Sequence, residues 1–305
     1  MHVAKKIRNE NLDSVTLEDV ENHKLISEEE LLKDLVKVKE YVAIENKNCF
    51  YGNKFLYHFQ LKNLLRCRRE KRKTIYEIHE NSEDWKLLIE QTRKKNRPGK
   101  SEAANVFECY RINNGSVVMF KTTTAKYIYT KYAAKRILDP TAGWGGRMLG
   151  AWAQGLDYTG IDTNISLRES YDSMIKFLLE KYKYGIIEQP PKMKMIWNSC
   201  LDLDYSNIDY DFVLTSPPYI NMEVYEHMEE WKTKELFYKD FFLPLWEKCL
   251  DNMKQGKICF NISPKMYDEF LKYGGKKSDM EEDLKQQLGQ QKGKTQDKIY
   301  IWVKK

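Results

Sequence analysis

The sequence predicts an α/β protein, one large α/β domain preceded by a smaller and mainly helical extension, and three stretches carry that prediction. In the first, Arg136-Ile137-Leu138-Asp139 reads as a strand that runs into the glycine-rich turn Pro140-Thr141-Ala142-Gly143-Trp144-Gly145-Gly146-Arg147 and then a helical pattern. The second is an apolar run from Tyr158 to Asp162, followed by a long helical stretch from Ser166 to about Tyr184. In the third, the apolar strand Asp211 to Thr215 is stopped by Ser216-Pro217-Pro218-Tyr219. Two consecutive prolines remove two backbone donors and fix two φ angles, so the strand ends there and its carbonyls take defined directions.

At 305 residues, with 42% hydrophobic and 13% aromatic content, the chain has enough material for a sizeable core, and its 31% charged residues point to a soluble protein. No run approaches a membrane span, and the beginning of the sequence lacks the apolar stretch of a signal peptide, so an intracellular protein with no membrane partner is expected. The six cysteines, at 49, 67, 109, 200, 249 and 259, have no close spacing, which suggests neither a metal site nor a disulfide framework. None follows a proline, so the Pro-Cys nucleophile of cytosine C5 methylation is missing.

Taken in order, residues 1–48 read as amphipathic helix, with Ser27-Glu28-Glu29-Glu30 starting a helix that reaches about Tyr41 and serves packing or oligomerisation. From Phe50 to Leu65 the pattern is ambiguous. Phe55, Tyr57 and Phe59 alternate with period two, whereas Leu61, Leu64 and Leu65 recur at helical spacing. A helix from about Ser82 to Lys95 stops at Arg97-Pro98-Gly99, the domain break in the pattern. The helical, basic region is assigned to residues 1–115 and the α/β domain to 116–305. Phe120-Lys121-Thr122-Thr123-Thr124 places small hydroxyl residues ahead of a helix, a capping arrangement. Later come a strand from Met193 to Trp197, a helix from about Lys234 to Met253, a strand from Gly256 to Ile262, a polar stretch over 276–297 and a period-two strand from Lys298 to Val303.

Charge is concentrated. The chain carries a net +6, yet residues 51–100 alone hold 14 basic and 6 acidic side chains while residues 101–264 are slightly acidic. Between Lys62 and Lys73 there are seven basic residues and a single Glu70. As one helix, Lys62, Arg66, Arg69 and Lys73 would share a face and form a basic stripe for a phosphate backbone; a solvated helix face is the other reading.

Two of the strand ends carry chemistry. Glycines at 143, 145 and 146 allow close backbone approach to a ligand at a helix N-terminus, and Asp162, nineteen residues after Gly143, is placed to accept both ribose hydroxyls of a nucleoside cofactor. The spacing also fits a nicotinamide enzyme, but the turn is not G-x-G-x-x-G. At the other strand end, Ser216 and the carbonyl of Pro217 accept N–H bonds and Tyr219 offers a face for stacking, a set suited to an exocyclic amine on a planar base. The loop from Ile220 to Trp231, with Glu223, Tyr225, Glu226 and His227, is expected to wall the base pocket.

In these two motifs, and over roughly residues 117–264, the chain resembles the S-adenosylmethionine-dependent DNA amino-methyltransferases. The resemblance implies a Rossmann-like class I methyltransferase fold, a mostly parallel seven-stranded sheet with helices on both faces. It further implies that Asp139, Pro140, Thr141, Gly143, Gly145, Gly146 and Asp162 hold S-adenosylmethionine, with Phe120 and Thr122 at its methionine end and Asp202 at the adenine amino group. Ser216, Pro217, Pro218 and Tyr219 would hold the target amine of a DNA base, adenine N6 or cytosine N4, flipped out of the duplex or already single-stranded. Direct transfer needs no tuned general base before the methyl group moves, and none is obvious in the sequence. This motif begins with Ser where the family often has Asp, which leaves the base open. An RNA or protein amino-methyltransferase, and an inactive nucleic-acid-binding subunit of the same fold, remain the competing readings.

Overall fold

The computed structural model describes residues 12–43, 49–69, 71–95, 99–115, 117–185, 189–219, 223–224, 231–284 and 297–305. Its centre is a seven-stranded sheet in the order β4-β3-β2-β5-β7-β9-β8. These strands are β2 (Arg136–Asp139), β3 (Asp157–Asp162), β4 (Met193–Trp197), β5 (Phe212–Thr215), β7 (Gly256–Ile262), β8 (Met280–Asp283) and β9 (Lys298–Lys304). The pairs β2/β3, β3/β4, β2/β5 and β5/β7 are parallel, and β9 runs antiparallel to both β7 and β8. The sheet is therefore mostly parallel, as expected. Strand order reverses around β2, so the carboxyl ends of β2 and β5 flank a switch point where such sheets open a crevice.

Both faces of the sheet are covered because neighbouring strand residues alternate sides. Ile137, Phe212 and Leu214 enter one core with Met148, Leu149, Trp152 and Met174, whereas Leu138 and Val213 enter the other with Phe242, Trp246 and Phe270. The first face is packed by α7 (Thr122–Lys131), α8 (Gly146–Ala153) and α9 (Arg168–Lys176). On the second lie α12 (Pro264–Lys272) and a continuous helix in which α10 (Lys234–Leu236) passes through a π-helical stretch, Phe237–Phe242, into α11 (Leu243–Asp251).

The N-terminal helices are α1 (Leu17–Asn22), α2 (Glu28–Glu40), α3 (Asn53–Arg66), α4 (Ile75–Glu80), α5 (Ser82–Lys95) and α6 (Glu102–Asn114). Ser27 caps α2 by accepting the Glu30 N–H at 3.3 Å. The ambiguous aromatic stretch is helix, and α3 joins two cores: Phe55 and Leu56 pack with the sheet, while Leu61 and Leu65 pack with Ile75, Leu88, Val106 and Phe107. Its N-terminus has no local cap. Instead the buried carboxylate of Asp34, on α2, accepts the Gly52 and Phe55 N–H groups at 3.2 and 3.0 Å. Pro98 lies outside the described residues, and α6, which follows it, packs back into the helical cluster with α5.

Three local expectations are corrected. α3 ends at Arg66, Cys67 is extended, and Arg68–Arg69 form a short strand, β1, before Thr74 opens α4 with a capping box to Glu77. Lys62, Arg66, Arg69 and Lys73 therefore do not share one helix face. The threonines at 122–124 lie inside the first turn of α7 rather than before it, and Thr123 donates to the Cys49 carbonyl at 3.0 Å instead of capping. Within the polar stretch 276–297, Met280–Asp283 is an edge strand, β8.

Candidate active site

Outside the carboxyl ends of β2 and β5 lies a cavity of about 320 Å³ that both motifs line. From the glycine turn come Pro140, Thr141, Gly143 and Gly146; from the proline turn come Ser216, Pro217, Pro218 and Tyr219. Phe120 and Asp162, also expected from the sequence, line it as well.

The glycine turn takes its shape from backbone demands. Gly145 is the N-cap of α8 with φ +85°, in the left-handed region. At Gly146 a Cβ would fall 1.9 Å from the Phe120 carbonyl oxygen, so only glycine lets α8 begin against that segment. Tyr171 clamps the turn from α9, its hydroxyl donating to the carbonyls of Ala142 and Gly143 at 3.2 and 2.9 Å. Asp162 holds the other side: Oδ2 accepts the Gly143 N–H at 2.8 Å and Oδ1 accepts the Asn164 N–H at 2.9 Å. Burial pushes its carboxyl up to about 6, against these two hydrogen bonds, which favour the charged form. Each oxygen keeps lone-pair capacity for a further donor.

Thr141 couples the two motifs. Its hydroxyl lies 2.6 Å from that of Thr215 and donates to the Ser216 carbonyl at 3.1 Å, so the position of one turn sets that of the other. Ser216 is held by Asn261, on β7: the Ser216 hydroxyl donates to the Asn261 carbonyl at 3.4 Å and accepts from Asn261 Nδ2 at 3.2 Å. One Ser216 lone pair remains for a ligand.

Four residues expected at the cofactor are placed elsewhere. Asp139 is fully buried beneath the turn, where Oδ2 accepts from Arg147 Nε and from the Tyr158 hydroxyl, both at 2.7 Å. An internal cation has claimed this carboxylate, and its work is to fix Arg147, which also donates to the Thr141 carbonyl. Thr122 is buried in α7 and Gly145 underlies the turn; neither borders the cavity. Asp202 is exposed one turn too far along, and Asn198, Ser199 and Cys200 border the cavity in its place.

Part of the basic segment is paired with its neighbours. Lys62 pairs with Glu21 at 3.7 Å, Arg68 with Glu77, and Lys73 with Asp84 at 2.5 Å, while Arg66 lies over the Tyr76 ring. Arg69 lines the cavity, and β1 pairs antiparallel with β6 (Glu223–Val224), joining the basic segment to the chain just after the proline turn. The expected wall from Ile220 to Trp231 is described only as backbone at β6 and at Trp231; Tyr225, Glu226 and His227 lie outside the described residues. Trp231 does line the cavity, packed on Phe237 and Phe241 with ring centroids 5.0 and 4.9 Å away.

Residues that the sequence reading passed over also border the cavity, among them Arg147, Asn164, Asn261 and Asp297. Asn261 had a legible mark, a polar residue at the end of the apolar run Ile258-Cys259-Phe260. Asp297 had none, because it sits in a stretch of like polarity.

No protein-family model matches the chain, and no curated protein matches it. Among solved structures it is similar to an rRNA methylase from Streptococcus thermophilus, with 14% identity, a TM-score of 0.38, and coverage of 61% of this chain and 96% of that one. It is also similar to the magnesium protoporphyrin IX methyltransferase of Synechocystis PCC 6803, crystallised with bound SAM: 13% identity, a TM-score of 0.40, and coverage of 65% and 91% respectively.

Proposed function

We propose that the protein is an S-adenosylmethionine-dependent DNA methyltransferase that alkylates the exocyclic amine of a base, adenine N6 or cytosine N4. The observation that carries this reading is the single cavity lined both by the glycine turn with Asp162 and by Ser216-Pro217-Pro218-Tyr219. The residues fit the cofactor: the Asp162 carboxylate, fixed by two backbone N–H groups, retains acceptor capacity for two vicinal hydroxyls. When bound there, S-adenosylmethionine supplies an activated methyl group.

The chain's own residues supply position and electrostatics. Ser216 Oγ and the Pro217 carbonyl accept the two N–H bonds of the amine, which turns its lone pair out of conjugation with the ring. Thr141 keeps this acceptor pair in register with the cofactor turn. Tyr219 stacks on the base, and Arg69 at the cavity meets a phosphate of the extruded or single-stranded nucleotide. Incubation with methyl-labelled S-adenosylmethionine and, separately, duplex DNA, single-stranded DNA and RNA tests the reading. Label is expected in DNA. Label in RNA alone would favour the RNA amino-methyltransferase, and cofactor binding without label in any acceptor would favour the inactive subunit.

A further inference from the structure

The proposed transfer leaves one chemical need unmet. The amine lone pair forms the new N–C bond as the C–S bond breaks, with that bond's electron pair staying on sulfur. The nitrogen then carries an extra bond and a positive charge, and one of its two N–H protons has to leave. A serine hydroxyl and a proline carbonyl accept hydrogen bonds but do not hold a proton near neutral pH.

Two groups at the same end of the cavity bear on this need. Asn261 is 5% exposed, lines the cavity and already donates its Nδ2 to Ser216 Oγ, yet its Oδ1 is buried without a hydrogen-bond partner. A buried acceptor beside the Ser-Pro-Pro turn costs stability unless a ligand donates to it. Asp297, immediately before β9, brings a carboxylate to the cavity. Of the titratable groups lining the cavity among the described residues, Arg69, Arg147, Asp162, Cys200 and Tyr219, it is Tyr219 that acts on this carboxylate.

Resting on the function proposed above, the geometry points to Asn261 and Asp297 as the completion of the amine site: Asn261 Oδ1 shares with Ser216 Oγ, in a three-centre bond, one N–H of the target amine, and the Asp297 carboxylate takes the proton released on alkylation and passes it to water. Tyr219, which lines the same cavity, puts the ring that stacks on the base within reach of this proton acceptor. Burial raises the Asp297 carboxyl above its ordinary range, although Tyr219 offsets part of the rise, and a raised carboxyl is a stronger base.

Two readouts test this. The first is binding of deoxyadenosine and deoxycytidine against their deaminated counterparts, deoxyinosine and deoxyuridine, in the presence of S-adenosylhomocysteine. The parent protein should prefer one amine-bearing nucleoside, and Asn261→Ala should narrow that preference about tenfold with cofactor affinity unchanged. The second is the pH profile of kcat at saturating cofactor, where the parent loses activity as pH falls through the Asp297 titration. In Asp297→Asn that limb should vanish and kcat should fall by about a hundredfold. A parent without amine preference would sink the proposed function and this inference with it. A parent with the preference, together with variants that keep both preference and acid limb, would overturn this inference alone.

Discussion

The end of the cavity proposed for the cofactor carries one ionisation, that of Asp162. Since burial raises the Asp162 carboxyl to about 6, its charged form predominates only above that pH. Ribose hydroxyls donate best to a carboxylate, so S-adenosylmethionine affinity should strengthen as pH rises through about 6 and weaken below it, a dependence that calorimetry across pH 5 to 8 would register. The linkage for the unliganded protein has the opposite sign. A folded-state carboxyl raised above its unfolded value of 3.8 makes the apoprotein lose stability as pH climbs from about 4 to 6. Asp162→Ala should cost ~1–3 kcal/mol of cofactor binding and abolish the pH step; unchanged affinity would remove Asp162 from the site. Tyr219→Ala, by contrast, should lose ~1–3 kcal/mol of base stacking and leave cofactor binding intact, and equal loss of both would make the turn merely structural. Asp162 was legible in the sequence because strand end and spacing together specify its direction. Asp139 looks the same in one dimension, and only the fold reveals that Arg147 reaches it from the following helix. Asn261 and Asp297 come from strands distant in sequence, so nothing local ties them to Ser216 or Tyr219.

At the scale of elements, the basic segment shows where periodicity misleads. Residues 62, 66, 69 and 73 fit a helical repeat, but Cys67 is extended and Thr74 starts a new helix with its own capping box, so the stripe is cut in two. On the proposed function, nucleic-acid contact falls to Arg69 on the strand Arg68–Arg69, which pairs with β6. Arg69→Ala should weaken binding of single-stranded DNA and lower the log–log salt slope by about one, since each phosphate contact contributes roughly 0.9. Arg66→Ala should do neither, because that side chain lies over Tyr76. Titration of a labelled oligonucleotide at three salt concentrations separates the two, and equal slopes for both variants would contradict the placement of Arg69. The helices α2 and α5 and the apolar strands were read to within a residue or two. β8 escaped notice because Met-Glu-Glu-Asp has no apolar alternation, as befits a charged edge strand that discourages pairing with other chains.

Over the whole molecule, one of the two sheet cores and the helical cluster meet at α3, which buries residues in that core at its start and in the N-terminal cluster toward its end. That shared helix, together with β1 against β6, brings the basic N-terminal region to the rim of the cavity rather than leaving it a separate module. Six strands of the mostly parallel sheet were legible as apolar runs, three of them, β2, β5 and β7, stopped by a proline at or just beyond the strand end, while β8 was not. Placement of the N-terminal helices was not, since amphipathic helices carry no record of which surface covers them. The central claim is that the glycine turn and the Ser-Pro-Pro-Tyr turn act as one site for amino-methyl transfer. Mass spectrometry of nucleosides released from DNA after reaction with methyl-labelled S-adenosylmethionine tests it most directly. The expected result is label on an exocyclic nitrogen, as N6-methyladenine or N4-methylcytosine, that falls at least several-fold in the Tyr219→Ala variant; label on a ring carbon, or the same nitrogen label undiminished in that variant, would contradict it.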